Sequence, residues 1–223
     1  MRLPKRDTII LQNSHIIDRA GKRMQLAKTL AEGLDEMLGG ELPDKTVILM
    51  MGEPGSGYDV FGQQLLYQHA LKGDKVARFA TMRSSNALKE DLGIFDCDVM
   101  SLEKTDQWVF VDVHAPDALQ ILRKEIHSRI KKGCWTLVDS LSYLLQTQEV
   151  DLVLKMVELL LETARKYGWI PFLFLLRGIQ DSQTEITLQR LVAGVIEFTA
   201  QEVAGENRQT NTNEENEENY LHS

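Results

Sequence analysis

The sequence predicts an α/β domain, a mostly parallel β-sheet flanked by helices, and three observations carry that expectation. Continuous β-branched and apolar runs recur along the chain, from Thr46 to Met51 through to Leu191 to Phe198. Stretches with helical spacing separate them, Asp117 to Lys132 being the clearest. A glycine-rich segment, Gly52 to Gly57, lies between the first apolar run and the first of those helices. Strands covered on both faces read as unbroken apolar runs, and helical crossovers between them give parallel pairing.

The elements follow in order. Residues 1–43 form an N-terminal arm and lead-in. Thr8 to Leu11 is a small β-prone patch. From about Ser14 to Leu38, Ile16, Ile17, Ala20, Met24, Ala27, Leu30, Ala31, Leu34 and Met37 recur at helical spacing, and Gly21 and Gly33 divide them into one helix or two. Such an arm either packs on the domain surface or docks on a neighbouring subunit. Residues 44–201 form the core domain. In it, Thr46 to Met51 is the first strand and Asp59 to Lys72 the first helix. Val76 to Thr81 is the second strand, followed by a short helix from Ser84 to Leu92. Trp108 to Val113 is the third strand and Asp117 to Lys132 a helix. Cys134 to Val138 is the fourth strand, and Asp151 to Tyr167 a helix with Val153, Val157, Leu160, Leu161 and Ala164 along one stripe. Pro171 to Leu176 is the fifth strand, and Leu191 to Phe198 holds the sixth. Residues 202–223, rich in Asn, Glu, Gln and Thr, have almost nothing apolar to bury and are expected to be a disordered acidic tail.

Charge and composition narrow the function. Of 223 residues 43% are hydrophobic and the formal net charge is −8, with a pI of about 5.2. Binding nucleic acid without sequence preference needs a cationic surface, and so does docking on anionic lipid; this balance argues against both. No run approaches the ~18 apolar residues of a membrane span. The basic start MRLPKRDTIILQ has too short an apolar part for a secretory leader, so a cytoplasmic protein is expected. Cys97 and Cys134 form no CxxC pair and are expected to be reduced, partly buried thiols. His15, His69, His114, His127 and His222 show no metal-ligand spacing, and no metal site is expected. Trp108, Trp135 and Trp169 sit at strand entries, where core or edge packing is the default.

The informative motif is Gly52-Glu53-Pro54-Gly55-Ser56-Gly57-Tyr58-Asp59. A phosphate-binding loop needs this context, a buried strand before it and a helix after it. Glycines let successive N–H groups face one concavity, and the helix N-terminus adds positive potential. A working loop reads GxxxxGK[ST]. Here Tyr58 stands in place of the lysine that pairs with phosphates, and Asp59 in place of the hydroxyl that holds Mg²⁺. One unit-charge contact at about 4 Å is worth roughly 4 kcal/mol at an effective dielectric of 20. Losing it, and adding a carboxylate, removes about three decades of affinity. ATP is therefore expected to bind weakly if it binds. Asp59 also suits the first helical turn with no ligand present. By itself the segment equally fits a glycine-rich turn with no history of phosphate binding.

Further segments resemble the KaiC-like branch of the RecA superfamily, whose fold is that of the P-loop NTPases. Gly33-Leu34-Asp35-Glu36-Met37-Leu38-Gly39-Gly40-Glu41-Leu42-Pro43 is similar to that family's lead-in to the phosphate-loop strand. Gly73-Asp74-Lys75-Val76 resembles its entry to the second strand, Val138-Asp139-Ser140-Leu141-Ser142 its Walker B ending, and Val192-Ala193-Gly194-Val195-Ile196-Glu197 its late strand. The resemblance implies a RecA-like sheet and assembly side by side with other RecA-like subunits, as a homo- or hetero-oligomer. It also exposes departures. Active members place two acidic residues after the second strand; this chain has Thr81-Met82-Arg83-Ser84. The family's later hairpin, with a cation for a neighbour's phosphates, has no counterpart after Phe198. Asp139 alone remains of the Walker carboxylates, and an acid at a strand end also has a purely structural reading. Arg83 suits an anion contact or a structural role. No catalytic residue is assigned. The expected function is that of a pseudo-ATPase serving as an interaction or regulatory subunit. The alternatives are a weak ATP-binding switch that uses non-standard residues and a DNA-binding recombination mediator.

Overall fold

The computed structural model describes residues 26–27, 42–43, 45–114, 116–192 and 194–199. Two short strands, β1 (Leu26–Ala27) and β2 (Leu42–Pro43), pair antiparallel. The core then alternates: β3 (Ile48–Gly52), α1 (Tyr58–Leu71), β4 (Lys75–Ala80), α2 (Ser85–Ile94), α3 (Val99–Lys104), β5 (Trp108–Asp112), α4 (Ala118–Lys131), β6 (Cys134–Asp139), α5 (Leu141–Thr147), α6 (Val150–Tyr167), β7 (Pro171–Leu176), α7 (Ser182–Leu191) and β8 (Gly194–Phe198). Strands β3 to β8 form one sheet in the order β5-β4-β6-β7-β3-β8, and all five neighbouring pairs are parallel. The expected RecA-like α/β architecture is therefore present.

Helices cover both faces, so the strands are apolar on both sides. On one face Leu49, Met51, Phe79, Val138, Leu173 and Leu175 pack with residues of α4, α6 and α7. On the other, Ile48, Met50, Leu137, Phe172 and Phe174 pack against Phe61, Leu65 and Leu66 of α1. Gly62 allows α1 to sit flush on the sheet, since a Cβ there would lie 2.4 Å from Phe174 Cζ. Trp108 and Trp135 are buried, as their places at strand entries suggest.

The six core strands begin and end within three residues of their sequence-based bounds. The exceptions are instructive. Leu26 and Ala27, placed by spacing in the arm helix, are strand residues, because their backbone groups pair with Leu42–Pro43, a contact that local periodicity does not register. The remainder of the arm, and the tail from 202, lie outside the described residues. Leu191 closes α7 rather than opening β8. Helices α3, α5 and α7 have no counterpart in the sequence reading. Asp98, Ser140 and Asp181 cap them, each side chain accepting from a backbone N–H three residues on.

Because every core strand points the same way, Gly52, Ala80, Asp139 and Leu176 end at one edge of the sheet. Chain β3 crosses to β4 on one side, while β8 returns on the other. Open α/β sheets bind ligands outside the carboxyl ends of strands at such a divergence.

Candidate functional site

The chain leaves β3 at Gly52 and turns through Glu53 to Gly57 into α1. Gly55 (φ 81°) and Gly57 (φ 80°) adopt the left-handed region. A Cβ at either would meet nothing within 4 Å, so conformation rather than space requires glycine. Three backbone bonds hold the loop. Ser56 N–H donates to Glu53 O at 3.1 Å, Glu53 N–H to Phe198 O at 3.4 Å, and Arg177 N–H to Gly52 O at 2.9 Å. The shape of a phosphate loop is present, and Gly57 caps α1 with no side-chain hydrogen bond.

Tyr58 occupies this loop. Its ring lies so close to Gly52 that a Cβ on Gly52 would be 2.3 Å from Tyr58 Cδ1 and 2.5 Å from Ser56 Oγ. The ring meets Phe174 of β7 edge-on, with centroids 5.3 Å apart. Burial, and then the carboxylates of Asp139 and Asp59, push the phenol up to about 12 from its ordinary 10.0. Ser56 Oγ beside it is buried, with no hydrogen-bond partner among the described residues. Asp59 is exposed in the first turn of α1, where a carboxylate favours the helix dipole.

Asp139 ends β6 and is not free. Arg78 Nη2 donates to Asp139 Oδ2 at 2.5 Å; Arg78 is 0% exposed and Asp139 22%. Among the described residues Arg78 Nε and Nη1 have no hydrogen-bond partner. The register explains the meeting. Arg78 on β4 stands opposite Leu137 on β6, so Asp139 lies two residues further along the same sheet face. Sequence reasoning missed Arg78. The available signal was a lone cation within the apolar run Val76-Ala77-Arg78-Phe79-Ala80, since arginine is almost never fully buried unless paired.

The segment after β4 carries structural bonds. Thr81 is buried; its Oγ1 accepts from Ser140 N–H at 2.7 Å and donates to Ser140 O at 3.0 Å. Arg83 pairs with Asp91, whose carboxyl it holds below the usual range, chiefly through their hydrogen bond. Ser84 caps α2. Arg177, past β7, pairs with Glu197 of β8. Arg78, Arg83 and Arg177 at this edge thus already face carboxylates. The residues present do not fit a Mg²⁺-bound triphosphate. An aromatic ring takes the cation's place, a carboxylate takes the hydroxyl's, and the remaining acid is ion-paired within the chain.

Elsewhere, His69 is buried, bonds Asp74 through Nδ1 at 2.8 Å and stacks on Trp135 at 3.6 Å. Cys97 and Cys134 are free, buried thiols. Among the described residues no group of three potential ligands could hold a metal, and no helix is long and apolar enough to cross a membrane.

The parallel sheet, the strand–loop–helix at Gly52 to Tyr58 and the acid ending β6 define a RecA-type P-loop domain. The family model described as "ATPase: KaiC" matches residues 27–211, and the chain belongs to that family. A UPF0273 protein of Pyrobaculum aerophilum is 25% identical over 175 residues, 75% of this chain and 56% of that protein. One from Saccharolobus solfataricus is 28% identical over 102 residues, 46% and 36% of the two chains. The chain therefore spans only about a third to just over half of these relatives. In structure it is similar to the KaiC-like protein PH0186 of Pyrococcus horikoshii, with a TM-score of 0.69 and 22% identity over 82% of this chain and 84% of that one. It is also similar to the flagellar accessory protein FlaH of Methanocaldococcus jannaschii, with a TM-score of 0.63 and 16% identity over 78% and 80%. These two likenesses bear on the fold.

Proposed function

We propose that this chain is a KaiC-family domain that does not hydrolyse ATP and acts through protein contacts, as an interaction or regulatory subunit among RecA-like subunits. One observation carries the reading: the Tyr58 ring, laid against Gly52, fills the loop where phosphates and a lysine would meet. Transition-state stabilisation in phosphoryl transfer comes from cations and donors aimed at the moving phosphoryl group. At this edge Arg78, Arg83 and Arg177 are already paired with carboxylates. Apolar side chains in solvent at Ile94, Phe95 and Met100 supply surface for a protein contact. The formal charge of −8 disfavours the DNA-binding alternative.

Calorimetric titration of the purified chain with Mg-ATP tests this. The expected result is no binding tighter than about 100 µM, roughly 5.5 kcal/mol, and no release of phosphate. Tighter binding without turnover would favour a nucleotide-sensing switch. Turnover that disappears in Asp139→Asn would overturn the proposal.

A further inference from the structure

We infer that Arg78 is the resident cation of this site and excludes a divalent metal from it, so that any anion entering does so metal-free. The inference rests on reading the site as a remodelled nucleotide pocket. Magnesium is held in such sites by carboxylate, a Ser/Thr hydroxyl and substrate phosphates, in near-octahedral geometry. The hydroxyl position here is Asp59, which is exposed. The carboxylate is Asp139, and its Oδ2 accepts from Arg78.

Opening that pair to admit a metal carries a large cost. Arg78 is wholly buried on β4, between β5 and β6. The guanidinium's one hydrogen bond among the described residues is to Asp139, since Nε and Nη1 have no partner there. A buried guanidinium that loses its counter-ion is left as an uncompensated charge in a poorly solvated interior. A dication on Asp139 would also place two cations around one carboxylate. Arg78 therefore supplies permanently the charge that a metal would supply reversibly. The same pairing fixes the end of β6, whose next residue, Ser140, is bonded to Thr81 of the neighbouring chain segment.

Manganese ion serves as the probe, added to the full chain and followed by paramagnetic broadening of amide signals. In the unaltered protein the signals of Gly57, Tyr58 and Ser140 are expected to stay sharp at millimolar Mn²⁺. Selective broadening of those signals overturns the inference. In Arg78→Met, with folding checked by circular dichroism, Mn²⁺ affinity at these signals is expected to rise at least tenfold. A folded Arg78→Met without that gain overturns it too. If that variant does not fold, the unaltered protein decides alone. The two proposals fail separately. Tight ATP binding unchanged by EDTA sinks the weak-binding reading and leaves this inference standing, whereas Mn²⁺ broadening in a chain that ignores ATP does the reverse.

Discussion

Each end of the sheet's strands pairs a cation with an aspartate, to opposite effect. At the carboxyl edge, Arg78 is 0% exposed and meets Asp139, while Tyr58 closes the loop. At the amino edge, Lys75 bonds Asp106 at 2.6 Å with the two side chains 52% and 71% exposed. That pair borders an open cavity of about 400 Å³ that Arg129, Lys132 and Cys134 also line. Arg129 in the last turn of α4 and Lys132 just past it complement the helix's terminal carbonyls, and Lys132 is exposed. The difference teaches that an ion pair's weight comes from its solvent, not its geometry. An exposed pair is screened and dispensable, whereas a buried one, once formed, binds both partners to the fold.

Breaking the buried pair should have the largest effect. Asp139→Ala strands Arg78, and is expected to cost about 3–5 kcal/mol in denaturant unfolding; a loss under about 1 kcal/mol would erase the contrast between the edges. Next comes Gly57→Ala, which forces a side chain onto a φ of 80°. It should cost about 1–2 kcal/mol by thermal or denaturant unfolding, although nothing crowds the position. Tyr58 sharpens the comparison through pH. Its phenol is raised from 10.0 to about 12, so the neutral form is the one the fold favours. The stability this adds is whole below pH 10 and is lost as pH rises towards 12. Tyr58→Phe should lack that loss, and should remove the step near pH 12 from the 295 nm absorbance curve. The smallest effect belongs to the amino edge. The Asp106 carboxyl is held below its usual range chiefly by its hydrogen bond from Lys75. Its contribution is present above the ordinary carboxylate range and fades as pH falls. Both side chains are largely exposed, so Asp106→Ala should shift the unfolding midpoint barely at all, and less still at high salt.

Much of the fold was legible because its signals are local. Thr46 to Met51 and Pro171 to Leu176 are unbroken apolar runs, and each became a central strand. Short helices such as Leu141–Thr147 were not legible, since seven residues hold too few turns for a periodicity to show. Within the site, the loss of the lysine and hydroxyl at Tyr58 and Asp59 was visible from the spacing alone. The fate of Asp139 was not, because its partner lies 61 residues earlier, and the lone cation of that apolar run does not say which acid it meets.

The sheet-and-helix alternation, the strand–loop–helix at Gly52 to Tyr58 and the missing phosphate cation follow from neighbours along the chain. That the Tyr58 ring folds onto Gly52 and that Arg78 holds Asp139 emerge only from three-dimensional packing. Both depend on which strands lie side by side and how deeply they are buried, and parallel crossovers bring together residues that no local pattern relates.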